Sequence, residues 1–129
     1  MDKESVEKEK EKREEIKVIK KEEREIERIE EGKRFNNGKT RYDLVPVYSH
    51  EQYAKVLTMG AEKYGDNNWR LGMSWNSVLA SLERHLYAFK NGEDTDPESG
   101  LHHMAHCAAN CMFLIEYSKI YPQGDDRYK

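Results

Sequence analysis

The chain has 129 residues, room for one domain and an appendage, and its charged and hydrophobic shares are equal at 36%. A net charge of -3 leaves no strongly basic face for duplex nucleic acid, and no apolar run approaches the ~20 residues that span a bilayer. The start, Met1-Asp2-Lys3-Glu4-Ser5, carries no apolar h-region, so no secretory signal is readable.

The charge is distributed unevenly. Residues 1–34 hold 13 acidic and 12 basic residues and no aromatic, whereas 35–129 hold all five His and every aromatic. The core is therefore expected in 35–129, and 1–34 is expected to be a charged helical extension. Cys107 and Cys111 lie four apart in one apolar helical pattern. A disulfide there would constrain a single turn, so both read as reduced thiols of a cytoplasmic protein.

In chain order, residues 2–31 are rich in Glu, Lys and Arg, good helix formers, and Gly32 is a stop. Ile16, Ile19, Ile26 and Ile29 draw a thin apolar stripe, consistent either with a solvated helix or with an oligomerisation helix. Asn36-Asn37-Gly38 signals a turn, and the segment to Pro46 reads as extended and irregular. Ser49 and Gln52 satisfy a capping box, with Tyr48 and Tyr53 as staple, so a helix is expected from Ser49 to Gly65. Ser74 caps a second, carrying Trp75, Val78, Leu79, Leu82, Leu86 and Phe89 and closed by Asn91-Gly92. Asp96 as N-cap and Pro97 at the first position are expected to start a third, ending before Pro122. No segment has strand period. The fold class is all-α: three core helices of about 16 to 23 residues plus the charged N-terminal one. Three helices with such wide apolar stripes leave much surface uncovered, so a homo-oligomer, a dimer or tetramer, is expected to complete the bundle.

Three groups of residues could carry chemistry. Glu93, Asp94, Asp96 and Glu98 place four carboxylates in six residues, hard ligands for Mg²⁺ or Mn²⁺, or simply a solvated turn with an ordinary cap. His103, His106 and Asn110 share one helix face, with His102 on a neighbouring stripe; they suit either a site or a hydrogen-bonded bundle interior. A zinc site using Cys107 and Cys111 matches no usual structural spacing. Glu62 on one helix, and Glu83, Arg84 and His85 on the next, complete a bundle-type site. Lys39, Arg41, Lys63, Arg70 and Arg84 are available for phosphates, and Trp69 either stacks on a base or anchors a loop. Neither GxxxxGK[ST] nor GxGxxG occurs, so the common Gly-rich phosphate cradles are absent.

From Gly38 to Arg127 the segments GKTRYDLVPVYSHEQYAKVLTMGAEKYGDNNWRLGMSW, SLERHLYAFKNGEDTDPESGLHHMAHCAAN and YPQGDDR resemble the phage and bacterial dATP/dGTP diphosphohydrolase family. That family is related to the MazG-like all-α nucleoside triphosphate pyrophosphohydrolases. The resemblance implies a Mg²⁺- or Mn²⁺-dependent enzyme that cleaves a purine deoxynucleoside triphosphate between the α and β phosphates, releasing pyrophosphate. The Glu-Glu-x-x-Glu and Glu-x-x-Asp runs of MazG-like enzymes are missing here. The acidic side chains on offer instead are Glu62, Glu83, Glu93, Asp96 and Glu98. Glu62, Asp96 and Glu98 are then the expected metal ligands, and Glu83, His103 and His106 the further catalytic groups. Lys39, Arg41, Lys63 and Arg84 are expected on the phosphates, His85 among the substrate contacts, and Asn68, Trp69 and Asn110 on base or sugar. The alternative is a phage protein that binds and sequesters a nucleotide signal of host defence without hydrolysing it. A third reading is an interaction module that docks through the charged helix.

Overall fold

The computed structural model describes residues 2–30 and 32–129, the side chains of 25–30 excepted. It is all-helical, with α1 at Lys3–Glu30, α2 at Val47–Tyr64, α3 at Trp75–Lys90 and α4 at His103–Ile120. Among the described residues there is no strand, only an isolated bridge between Thr95 and His102. The chain divides into two units, Met1–Thr40 and Arg41–Lys129.

In the first unit, Asp2 accepts from the Ser5 backbone N–H at 2.8 Å and caps α1. Ion pairs run along the helix, Glu4 with Lys8, Glu7 with Lys10 and Glu14 with Lys17. All are exposed and contribute a few tenths of a kcal/mol each. Ile16 and Ile19 are half exposed; Ile26, Ile29 and Glu31, the rest of the expected stripe and helix end, lie outside the described residues and side chains. Past the helix, Lys39 donates to the Asn36 carbonyl across the Asn37-Gly38 turn at 3.0 Å.

In the second unit, both α2 and α3 pack on α4. Val56 of α2 meets Ala105 and Ala109, whose small side chains let the helices approach. Trp75 and Val78 of α3 meet Tyr117, which is completely buried and donates to the Trp69 carbonyl at 2.6 Å. Burying a side chain of this size contributes ~2–3 kcal/mol, and its hydroxyl needs the partner it has. Phe113 touches both clusters.

Two helix starts differ from the sequence expectation. α2 begins at Val47, not Ser49: Pro46 is extended (φ -70°, ψ 137°), and its carbonyl accepts the first helical N–H, from His50 at 3.1 Å. Ser49 is thus already inside the first turn, and Tyr48 is exposed, so neither box nor staple forms. α4 begins at His103, not Pro97. Asp96 does cap, but it caps a tight turn, accepting from Glu98 N–H at 3.1 Å and from the Ser99 hydroxyl at 3.2 Å. Gly100, at φ +72°, then turns the chain out of helical geometry. His102 becomes the N-cap, its Nδ1 accepting from Met104 N–H at 3.0 Å. The expected Ser74 cap is present, accepting from Ser77 N–H at 3.3 Å.

The tail closes the unit. Asp126 accepts from the Ser74 hydroxyl and from Asn76 N–H, and Trp75 Nε1–H donates to the Tyr121 carbonyl at 3.1 Å. The Tyr121 ring sits between Gly72 and Gly124, where a Cβ would come within 2.7 Å and 2.1 Å of ring carbons. Gly124→Ala should therefore lower stability by ~1–3 kcal/mol, the usual cost of overpacking, seen as a lower melting temperature of the purified chain.

Candidate functional site

α3, the link between α3 and α4, and the first turns of α4 bring three potential ligands together. One atom each from His85, Asp96 and His106 lies within 4.8 Å of the others. His106 is buried, and the other two are half-buried. The rings of His85 and His106 stack in parallel, 4.2 Å between centroids and 2° between planes. The link is held as a closed loop, with Asp96 N–H on the Leu101 carbonyl at 2.8 Å and His103 N–H on the Asp94 carbonyl at 3.0 Å. This places Asp96 over the end of α4, with Oδ2 3.6 Å from His106 Nε2.

Ser99 lies at the same point. Its Oγ is 2.8 Å from His106 Nε2, contacts Asp96 Oδ2 and accepts from Leu101 N–H. A Ser–His–Asp nucleophile arrangement would put the carboxylate behind Nδ1 of the histidine. Here Asp96 stands on the Nε2 edge beside the serine, so Ser99 braces the turn and is not activated. Ser99 was not singled out from sequence; Asp-x-x-Ser read as a turn rather than a cap would have found it.

Burial and neighbouring groups set the charge of these three side chains. Burial lowers the pKa of His85, reinforced by the neighbouring His106. Burial also lowers that of His106, against the opposing pull of Asp96. Burial pushes Asp96 up, but the Glu98 N–H, the Ser99 hydroxyl and the two histidines outweigh it and hold the carboxylate ionised below its usual range. A neutral imidazole keeps one ring lone pair, and the ionised carboxylate keeps its own.

The sequence-named residues divide accordingly. Asp96 lies in the cluster, and His85 and His106 stand with it where Glu62 and Glu98 were expected as ligands. Glu62 and Glu83 are exposed on α2 and α3, and no group of three potential ligands among the described residues includes them. Glu98 is exposed in the turn, close enough to act electrostatically on both His106 and Lys63. Lys63 is raised first by its hydrogen bond to Tyr64 and by that ring, then by Glu98. Arg84 is exposed; Arg41 is paired with Asp43 through two 2.7 Å hydrogen bonds. Lys39 is exposed in the other unit. Cys107 is buried with its thiol on the Leu82 carbonyl, and Cys111 is exposed, so neither joins the cluster. His102 serves as the N-cap of its helix.

His106 also lines a cavity of ≈ 780 Å³ between α2, α3 and α4. That volume lies within the range of small-molecule sites. Its walls include Met59, Asn68, Trp69, Phe113 and Asn110. Trp69 is an anchor of this wall, 5.1 Å from the Phe113 ring with the Arg70 guanidinium 4.6 Å from its own. Asn110 is buried with one long hydrogen bond, 3.4 Å to Ser81, which leaves most of its amide capacity for a ligand.

Residues 29–127 match the family described as dATP/dGTP diphosphohydrolase, N-terminal. The chain belongs to that family. The match takes in α2, α3, α4 and the tail, and so every residue of the cluster and the cavity. The chain is 36% identical over 96 residues to a dATP/dGTP diphosphohydrolase of Salmonella phage PMBT28, a stretch covering 74% of this chain and 33% of the relative. The chain thus spans about a third of that relative's length. No solved structure matches it. No helix among the described residues is long and apolar enough to cross a membrane.

The lowered histidines set a sign for acid stability. Each is protonated more readily unfolded, near the ordinary 6.5, than folded. Stability of the metal-free protein should hold above that value and fall as pH drops below it, until the folded values are passed. Melting temperatures in chelator from pH 7.5 to 5 should show this, with a weaker dependence in His106→Gln.

Proposed function

We propose that this chain hydrolyses purine deoxynucleoside triphosphates, dATP and dGTP, to the monophosphate and pyrophosphate, using a divalent cation held by His85, Asp96 and His106. The observation that carries the reading is that this ligand set opens through His106 onto a cavity of nucleotide size. Family membership and the name of the phage relative support the substrate class. The donor chemistry fits a metal: two imidazoles kept neutral by burial and one carboxylate kept ionised by its turn. Mixed nitrogen and oxygen donors suit Mn²⁺ better than Mg²⁺, which prefers oxygen ligands alone.

A cation bound there would supply neutralisation of phosphate charge and would acidify water next to it. The protein's own residues do the rest. His85, Asp96 and His106 would hold that cation beside the triphosphate end of the substrate. Glu98, exposed beside His106, takes the proton from the attacking water. His103 is not available for that step, because both its ring nitrogens are engaged. Lys63, near Glu98, and Arg84 steady the departing pyrophosphate. The base lies between the apolar walls, with Asn110 offering hydrogen bonds to its edge and Asn68 at the rim. An assembly of more than one copy belongs to the same reading, supported by exposed apolar side chains such as Val47, Leu71 and Ile115.

Incubation with dGTP or dATP and Mn²⁺ should release pyrophosphate and the monophosphate, and Asp96→Asn should slow release by ~100-fold or more. Tight binding of intact nucleotide with no pyrophosphate would turn the reading to sequestration. Light scattering should give a mass of at least two chains; a single-chain mass would remove the assembly from the proposal.

A further inference from the structure

A line of ring nitrogens lies outside the three ligands yet ends on one of them. His103 is 3% exposed and engaged on both sides. Its Nε2 is 2.7 Å from Glu93 Oε1, and its Nδ1 is 2.9 Å from His85 Nδ1. An ionised carboxylate only accepts, so the Glu93 bond requires the proton on Nε2 of His103. A neutral His103 then presents a lone pair at Nδ1. Two ring nitrogens 2.9 Å apart share one proton, so Nδ1 of His85 must supply it. His85 is left with its lone pair on Nε2.

We infer that Glu93, acting through His103, fixes the tautomer of His85 and so presents the His85 Nε2 lone pair to a divalent cation; this rests on the metal reading above. Neither Glu93 nor His103 belongs to the ligand set, so both are positioning residues. The arrangement extends the usual carboxylate–histidine–metal pattern by one ring. The local fold keeps it aligned. The bond from His103 N–H to the Asp94 carbonyl holds the residue after Glu93 against the first residue of α4. The His85 and His103 rings meet at 49° with centroids 5.2 Å apart, and stacking on His106 holds His85 from its other side.

Two measurements on the full chain test the inference. In metal-free protein at pH 8, where an ordinary imidazole is neutral, nitrogen-15 spectra should place the His85 proton on Nδ1. In Glu93→Ala the His85 signals should shift toward a mixture of the two tautomers. In calorimetric titration with Mn²⁺, Glu93→Ala should bind about 10–100-fold more weakly than the unaltered chain. Glu93→Gln, which keeps an acceptor oxygen, should lose less. Glu93 is half exposed, and unchanged melting temperatures would show that the variants fold. A His85 proton found on Nε2 in the unaltered chain overturns the inference. So does a Glu93→Ala variant that binds Mn²⁺ as tightly as the unaltered chain with the His85 tautomer unmoved. Failure of the unaltered chain to bind Mn²⁺ would instead sink the metal reading, while the spectra would still decide whether Glu93 governs His85.

Discussion

Burying imidazole rings in a helix interface costs free energy unless every ring nitrogen finds a partner. His103 and His106 sit inside the contact between α3 and α4, and the partners they need do not come from the helices alone. Glu93, Asp96 and Ser99, all on the link, supply them. The link therefore cannot be an arbitrary connector. Its turn at Asp96, its positive φ at Gly100 and its closing bonds to Leu101 and His103 are what make the buried histidines affordable and bring a carboxylate to them. The same partners that satisfy the core also assemble the candidate ligand set, so stability and chemistry share one set of hydrogen bonds.

Much of the architecture was legible from pattern. Helix spacing located all four helices, Gly65 and Asn91-Gly92 marked real ends, and Ser74 was a real cap. Both misplaced starts involve proline and a capping residue. Pro46 and Asp96 each permit two local structures, and sequence spacing does not say which one the surroundings stabilise. For Asp96 the decision lies in a residue four positions on, Gly100, and in a carbonyl contributed by Leu101 after the chain has reversed.

The site was legible in part for a related reason. Asp96 and His106 stood out because a carboxylate cluster and histidines on an apolar helix are conspicuous. The sequence offers His85 only as a substrate contact, because nothing in its own segment shows that its ring stacks on a residue 21 positions away. Glu62 was grouped with the acidic link by analogy to bundle metal sites, but its position on α2 turns it to solvent. Trp69 left two readings open, and the Phe113 and Arg70 contacts favour the anchor.

The cavity is a wedge with α4 as its spine. α2 and α3 each lean on that spine and hardly on one another. The histidines and Asp96 ride on α3, the link and α4, while α2 provides only the facing wall. Pivoting of α2 about its contact with Ala105 and Ala109 would widen or narrow the cleft without disturbing the geometry of the three donors. The fold thus separates the three donors, held in place by the link, from the wall that sets the width of the cleft.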